Sequence, residues 1–275
     1  MTLMLMVATG CAAKRQTPLA EEQSAGDNKV VALSQNTIPS PSGPKDAQPA
    51  VNIIFRLQAY QLCVPAGTIS RNESFWKRID EHCVDVATAE NLLKNGFRVG
   101  LAPLSEWENL NKLIQQNPGT ASHADSVGRE AKNIELEMRK AIPYQTISYI
   151  DADNQLRGAS FDRCENIVNV SYQPTPRKVG SARIALAPMV RTTRKRLEFS
   201  PANNEEREIM FKSDESFFLN LVVDVPVNNI LVLAPSSEAR AETSLGGAFL
   251  MKDDPAEQFE QVILIFPRPT RIDGP

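Results

Sequence analysis

Histidine is nearly missing from this chain: His82 and His123 are the only two in 275 residues. A Ser-His-Asp triad would have to recruit one of them, and neither stands beside a nucleophile on a strand-to-turn elbow. Gly-x-Ser-x-Gly, Gly-x-x-x-x-Gly-Lys-Ser/Thr and His-Glu-x-x-His are all absent. That removes the motif-borne routes to acyl transfer, phosphate cradling and zinc hydrolysis. An excess of either charge is lacking too. Thirty Lys+Arg against 33 Asp+Glu leave a net charge of −3, too little positive charge for a footprint on nucleic acid, whose binding runs on phosphate neutralisation. The chain is not a multi-span membrane protein. Its 42% hydrophobic and 23% charged residues are the mixture of an ordinary globular body.

What is present begins at the start. Met1 to Gly10 (MTLMLMVATG) is uncharged and mostly apolar. It is shorter than the roughly 20 residues a membrane-crossing helix needs, and has the length of a signal's apolar region. It ends in Val7-Ala8-Thr9-Gly10-Cys11, which resembles a bacterial lipobox. Ala8 stands where that family most often has Leu, and no Lys or Arg precedes the apolar run. The resemblance implies acylation of Cys11, cleavage before it, and a body held at the cell envelope by membrane lipid. Several acyl chains, at roughly 0.8 kcal/mol per buried CH2, anchor durably. An ordinary signal peptide or a buried first segment are the alternatives.

Residues 11–50 read as a disordered tether. Ala12 to Ala50 holds Pro18, Pro39, Pro41, Pro44 and Pro49, many Ser, Gln, Asn and Ala, and no aromatic residue. Such a tract cannot bury enough apolar surface to offset the entropy of ordering.

Order begins at Val51. In VNIIFRLQAYQLCVP, Ile53, Phe55 and Leu57 share one parity and Tyr60, Leu62 and Val64 the other. That pattern predicts either a bulge near Ala59 or a strand buried on both faces. Helices follow, capped at Asn72, Thr88 and Ser105, with Gly96 as a stop. The result is a small α+β module of βααβα order over 51–118. Thr120 to Glu130 is polar and reads as loop. Over 131–273 strands dominate. Ile134, Leu136 and Met138 alternate with charged residues, Asp151-Ala-Asp-Asn154 makes a hairpin turn, and Leu245 to Met251 reads as a strand. The expected fold class is therefore α+β: the small module, then a β-rich antiparallel or mixed sheet or sandwich.

Residues 180–272 resemble the β-domain of bacterial secretins. The runs that carry the likeness are Arg183 to Val190 (RIALAPMV), Leu221 to Leu250 with Val225-Pro226 and Gly246-Gly247, and Glu260 to Ile272 closed by Pro267-Arg-Pro269. The Pro- and Gly-rich gate segment of that family has no counterpart, since only Lys252 to Phe259 lies between the last two strands. The resemblance implies an envelope location and a strand order.

With Cys11 assigned to lipid, Cys63, Cys83 and Cys164 remain. Cys63 and Cys83 are the candidate disulfide, and three buried thiols are the alternative. Asp80-Glu-His-Cys83 with Asp85 brings metal-ligand types together, but adjacent His-Cys is not structural-zinc spacing, and no metal is expected. The basic run Arg191 to Arg196 reads as a solvated hairpin. The expected function is an envelope lipoprotein with a non-catalytic structural or interaction role, needing no cofactor. It meets protein partners of the envelope, in a secretion or pilus-type assembly. Two alternatives stand beside it. One is a periplasmic ligand-binding or hydrolytic protein with a site between the two modules. The other is an oligomeric secretin-like channel subunit.

Overall fold

Alternating and two-sided apolar runs pair here into two antiparallel sheets. The computed structural model describes residues 52–116, 121–128, 132–175, 178, 180–200, 205–217, 219, 221–240, 243–254 and 257–272. The lipobox-like start and the Pro-rich tract lie outside the described residues. In chain order the elements are β1 (Asn52–Pro65), α1 (Glu73–Trp76), α2 (Val86–Lys94), β2 (Phe97–Pro103), α3 (Trp107–Gln116), β3 (Ala121–Gly128) and β4 (Lys132–Ile150). Then come β5 (Leu156–Pro174), β6 (Ser181–Ser200), β7 (Glu205–Ser216), β8 (Val222–Pro226), β9 (Asn229–Pro235), α4 (Leu245–Leu250), β10 (Met251–Asp253) and β11 (Gln258–Ile272). The described residues, from Asn52 to Ile272, belong to one compact unit.

The first sheet has the order β2-β9-β11-β1-β3, with β10 also on β11; the second has the order β4-β5-β6-β7, with β8 also on β6. One apolar cluster joins them. Leu57 of β1, Val99 of β2 and Ile263 of β11 meet Leu136 of β4, Val168 of β5 and Ile184 of β6. The sheets therefore pack as a sandwich. A second cluster lies on the far side of the first sheet, where α1 and α3 cover Leu62, Val232 and Leu264 with Phe75, Trp76 and Leu110. β1 serves both clusters: Phe55, Leu57 and Ala59 face the second sheet, Leu62 and Val64 the helices. Its register on β11 runs unbroken from Asn52↔Ile272 to Pro65↔Phe259. The switch of parity in the sequence thus comes from burial on both faces, not from a bulge.

This architecture overturns the α+β expectation. The described residues are mostly strand, and their four α-helices are short. The βααβα module does not close on itself, because β9 and β11 separate β1 from β2 in the sheet. Four local expectations fall with it. Ala121–Gly128 is an edge strand on β1, since main-chain pairing needs no apolar side chains. Leu245–Leu250 is a helix, because Gly246 lies flat against Gly96: a Cβ there would sit 2.3 Å from the Gly96 carbonyl oxygen. Arg191–Arg196 lies inside the continuous strand β6. Asp85, not Thr88, caps α2, accepting from the Thr88 N–H at 3.0 Å.

Other expectations hold. Ile134, Leu136 and Met138 are buried, and Glu135 and Glu137 between them are exposed. Asn72 caps α1, and Gly96 ends α2 at φ 88°. Asp151 turns the β4–β5 hairpin, its Oδ1 accepting from the N–H of Asp153 (3.0 Å) and of Gln155 (2.8 Å).

Carboxylates and carboxamides fasten the layers. Glu260 of β11 is fully buried and accepts from the N–H of Gly67 (2.9 Å), Ser70 (3.1 Å) and Ile69, pinning the loop after β1. Asn95, at the end of α2, bonds the Ile150 main chain in both directions, at 2.8 and 2.9 Å. Asn166 of β5, also fully buried, donates to the Ala248 carbonyl at 2.8 Å.

Candidate functional site: a cleft at the seam of the two sheets

The thiols come first. Cys63, Cys83 and Cys164 are all free, so the candidate Cys63–Cys83 disulfide is not formed. Cys63 lies on β1, and the turn carrying Cys83 packs on β2. Three strand spacings separate β1 from β2, roughly 14 Å at ordinary sheet spacing. A disulfide needs Cα atoms within about 7 Å. Burial raises the Cys63 thiol, with Lys252 pulling it back, and raises Cys164. Burial, and then the charge of Asp80, pushes Cys83 up to about 11. Thiols held in the protonated form are poor nucleophiles and poor ligands.

His82 projects into solvent, with Nδ1 3.5 Å from Asp80 Oδ1. His123 lies on β3 opposite Tyr60. Among the described residues no group of three or more His, Cys, Asp and Glu side chains gathers where it could hold a metal. Arg191, the first residue of the basic run, is the hub of an ion network on the outer face of the second sheet. It bonds both oxygens of Glu135 (2.8 Å each) and both of Asp214 (2.8 and 3.0 Å), with Glu165 at 3.8 Å. Arg191 holds Glu135 and Asp214 below the ordinary carboxylate range, although partial burial opposes it. Arg183 does the same to Asp224 through bonds of 2.8 and 3.1 Å.

A concavity lies at the seam, beside the bulges of β4. Register shifts fall between Glu137 and Arg139 and between Arg139 and Ile142, and Ala141 and Arg163 adopt φ of 50° and 46°. The concavity is a cleft of about 390 Å³ between β4 and the segment running from Ala239 through α4 to β10. Its volume is in the range of small-ligand sites. Arg139, Tyr144, Gln145 and Thr146 line one wall; Thr243, Gly247, Met251 and Asp253 line the other.

The groups differ in how far they are already engaged. Gln145 and Asn166 form a reciprocal carboxamide pair, Nε2 to Oδ1 at 2.6 Å and Nδ2 to Oε1 at 3.1 Å. Asp253 Oδ1 accepts from Gln258 Nε2 at 2.9 Å. The exposed Tyr144 hydroxyl lies 3.2 Å from Ser160 and 3.1 Å from Thr146, and these bonds, Ser160's first, lower its proton affinity. Half-buried Arg139 has no hydrogen bond or ion pair among the described residues.

A second cleft, of about 360 Å³, lies where β5 and β6 diverge past Cys164↔Thr192. Arg163 and Arg194 share it with Asp162 and Glu215.

Sequence reasoning missed the seam cleft. Arg139 reads as one more polar residue of an alternating strand, and Gly247 as part of another strand. The available signal was Ala141-Ile-Pro143, which interrupts the alternation where the bulges fall. No protein-family model, no curated protein and no solved structure matches the chain.

Proposed function

We propose that this is a lipid-anchored protein of the bacterial cell envelope whose β-sandwich body binds a partner and performs no chemistry. Acyl chains on Cys11 hold it to a membrane, the Pro-rich tract gives it reach, and the seam cleft is where the body binds. One observation carries the reading: the apolar run ending in Gly10-Cys11 is followed by a tract with five prolines and no aromatic residue, and the described β-sandwich starts beyond that tract, at Asn52. A tether of such composition behaves as an extended coil and lets a body work at a distance from its anchor.

The titratable groups support binding over catalysis. Asp85, Glu135, Asp151, Asp214 and Asp224 are all shifted downward, each by an arginine or a backbone N–H. A general acid needs the opposite shift. The seam cleft favours the ligand-binding form of an interaction role over a purely structural one, because its polar groups converge on an open strand edge.

The test is Cys11→Ser with cell fractionation and metabolic labelling by a fatty acid. The reading expects the wild type in the membrane fraction carrying label, and the variant unlabelled and released. Unchanged membrane association without label would overturn it.

A further inference from the structure

We propose that the seam cleft binds an extended peptide with a free C-terminal carboxylate, which adds as a strand to the open edge of β4 and places its carboxylate on Arg139. The proposal rests on reading this cleft as the binding place of the body, and narrows that reading to one ligand chemistry.

The edge is the first observation. β4 is the terminal strand of its sheet, and β5 is its only strand partner among the described residues. Among the described residues its outer side is fastened near its two ends, and at the hairpin end the Asn95 bonds to the Ile150 main chain add to the hold. Near Glu137 and Met138, Gln61 Nε2 and Gln261 Nε2 donate to the two carbonyls at 3.1 and 3.2 Å. Near the hairpin, Ser148 N–H donates to the Thr243 carbonyl at 2.6 Å. Between these pins the cleft follows β4 from Arg139 to Thr146.

The lining itself is the second observation. Tyr144, Gln145 and Thr146 are consecutive. Side chains alternate across a strand, so a wall that takes in three neighbours runs along their shared edge and reaches their main chain. The wall therefore offers N–H and C=O groups to an incoming strand. This is β-augmentation, in which main-chain bonds supply affinity and the flanking side chains supply selectivity.

Charge sets the end group. Arg139 is a half-buried guanidinium with no hydrogen-bond or ion-pair partner among the described residues, and a carboxylate is the ion its planar fork fits in two parallel bonds. Asp253, on the opposite wall, is occupied by Gln258 and is not ion-paired with Arg139. An internal acidic side chain presents the same carboxylate, so the probes must separate the two sources.

The test measures anisotropy of fluorescein-labelled peptides on the full chain. The probes share a core of alternating Val and Thr. One ends in a free acid, one in an amide, one carries an internal Asp and an amide end, and one has the free acid with N-methylated main-chain nitrogens. Expected is binding of the free acid, with at least about tenfold weaker binding for the amide, the N-methylated and the internal-Asp probes. Arg139→Gln should cost the free acid about as much as amidation does, and Arg139→Lys should recover part of the loss. Circular dichroism checks that both variants fold.

Equal binding of acid and amide, insensitivity to N-methylation, or full affinity in a folded Arg139→Gln protein would overturn the proposal. Preference for the internal-Asp probe would overturn the C-terminal assignment. None of these outcomes depends on Cys11, so loss of the anchor and loss of the peptide site are read separately.

Discussion

At the scale of single residues, close approach explains what side-chain chemistry does not. Gly246 N–H donates to the Asn95 carbonyl at 2.7 Å, and the space its Cβ would need is filled by Gly96 main chain. Gly246→Ala should therefore destabilise the body by about 3 kcal/mol, since neither backbone has a rotamer through which to yield. Gly180→Ala is the contrast. Gly180 has φ 83° with nothing near its missing Cβ, so it carries conformational strain alone. Its cost should be nearer about 1 kcal/mol. Urea midpoints at constant slope measure both, and equal losses would show that the Gly96–Gly246 contact yields easily. The glycine pair also shows where sequence reading stops. Leu245-Gly-Gly-Ala-Phe-Leu250 has the composition of a buried strand. Only its tertiary neighbour makes a helix of it. The Asn72 cap and the Asp151 turn were legible because their hydrogen bonds reach two to four residues along the chain.

At the scale of elements, the outer face of the second sheet is held by crossing ion pairs. β4, β5, β6 and β7 each contribute to the Arg191 hub, so one guanidinium couples four strands. Arg191→Met should lower stability by about 1–2 kcal/mol. The loss exceeds that of an isolated surface pair because Arg191 is largely covered and three carboxylates are left facing one another. The deficit should shrink in high salt, as screening weakens both the lost attraction and the new repulsion. A deficit independent of salt would assign Arg191 a packing role instead. The alternation of β4 was readable from Ile134 to Met138. It was lost beyond Arg139, because bulges at 137–142 change which parity faces inward, and the cleft lies at that change. The polar strand β3 escaped notice for a related reason: an edge strand is specified by its partner's main chain, not by its own side chains.

For the whole molecule, acid is the informative variable. Glu135, Asp151, Asp214 and Asp224 are held below their ordinary range by arginines, and Asp85 by the N–H of Thr88. Their folded values lie below the unfolded ones. Their stabilisation is therefore complete above the unfolded carboxylate range, about pH 4, and is lost as the pH falls through the lowered values. Thermal midpoints should be flat from neutral pH to about 5 and fall steadily below about 4; a midpoint that rises on acidification would contradict the ion-pair account. The α+β expectation failed at this scale. It assigned 51–118 its own module, whereas the sheet interleaves strands from both ends of the body, and nothing local in β1 or β11 announces a partner some two hundred positions away.

That interleaving has a consequence for how the protein comes into being. β11 is the middle strand of its sheet, yet the ribosome delivers it after every strand it touches. Until then β1 has no neighbour on that side and the first sheet cannot assemble. The second sheet can form from neighbours in the chain, whereas the first is completed only by the last strand made, when the two halves of its order, β2-β9 and β1-β3, are joined.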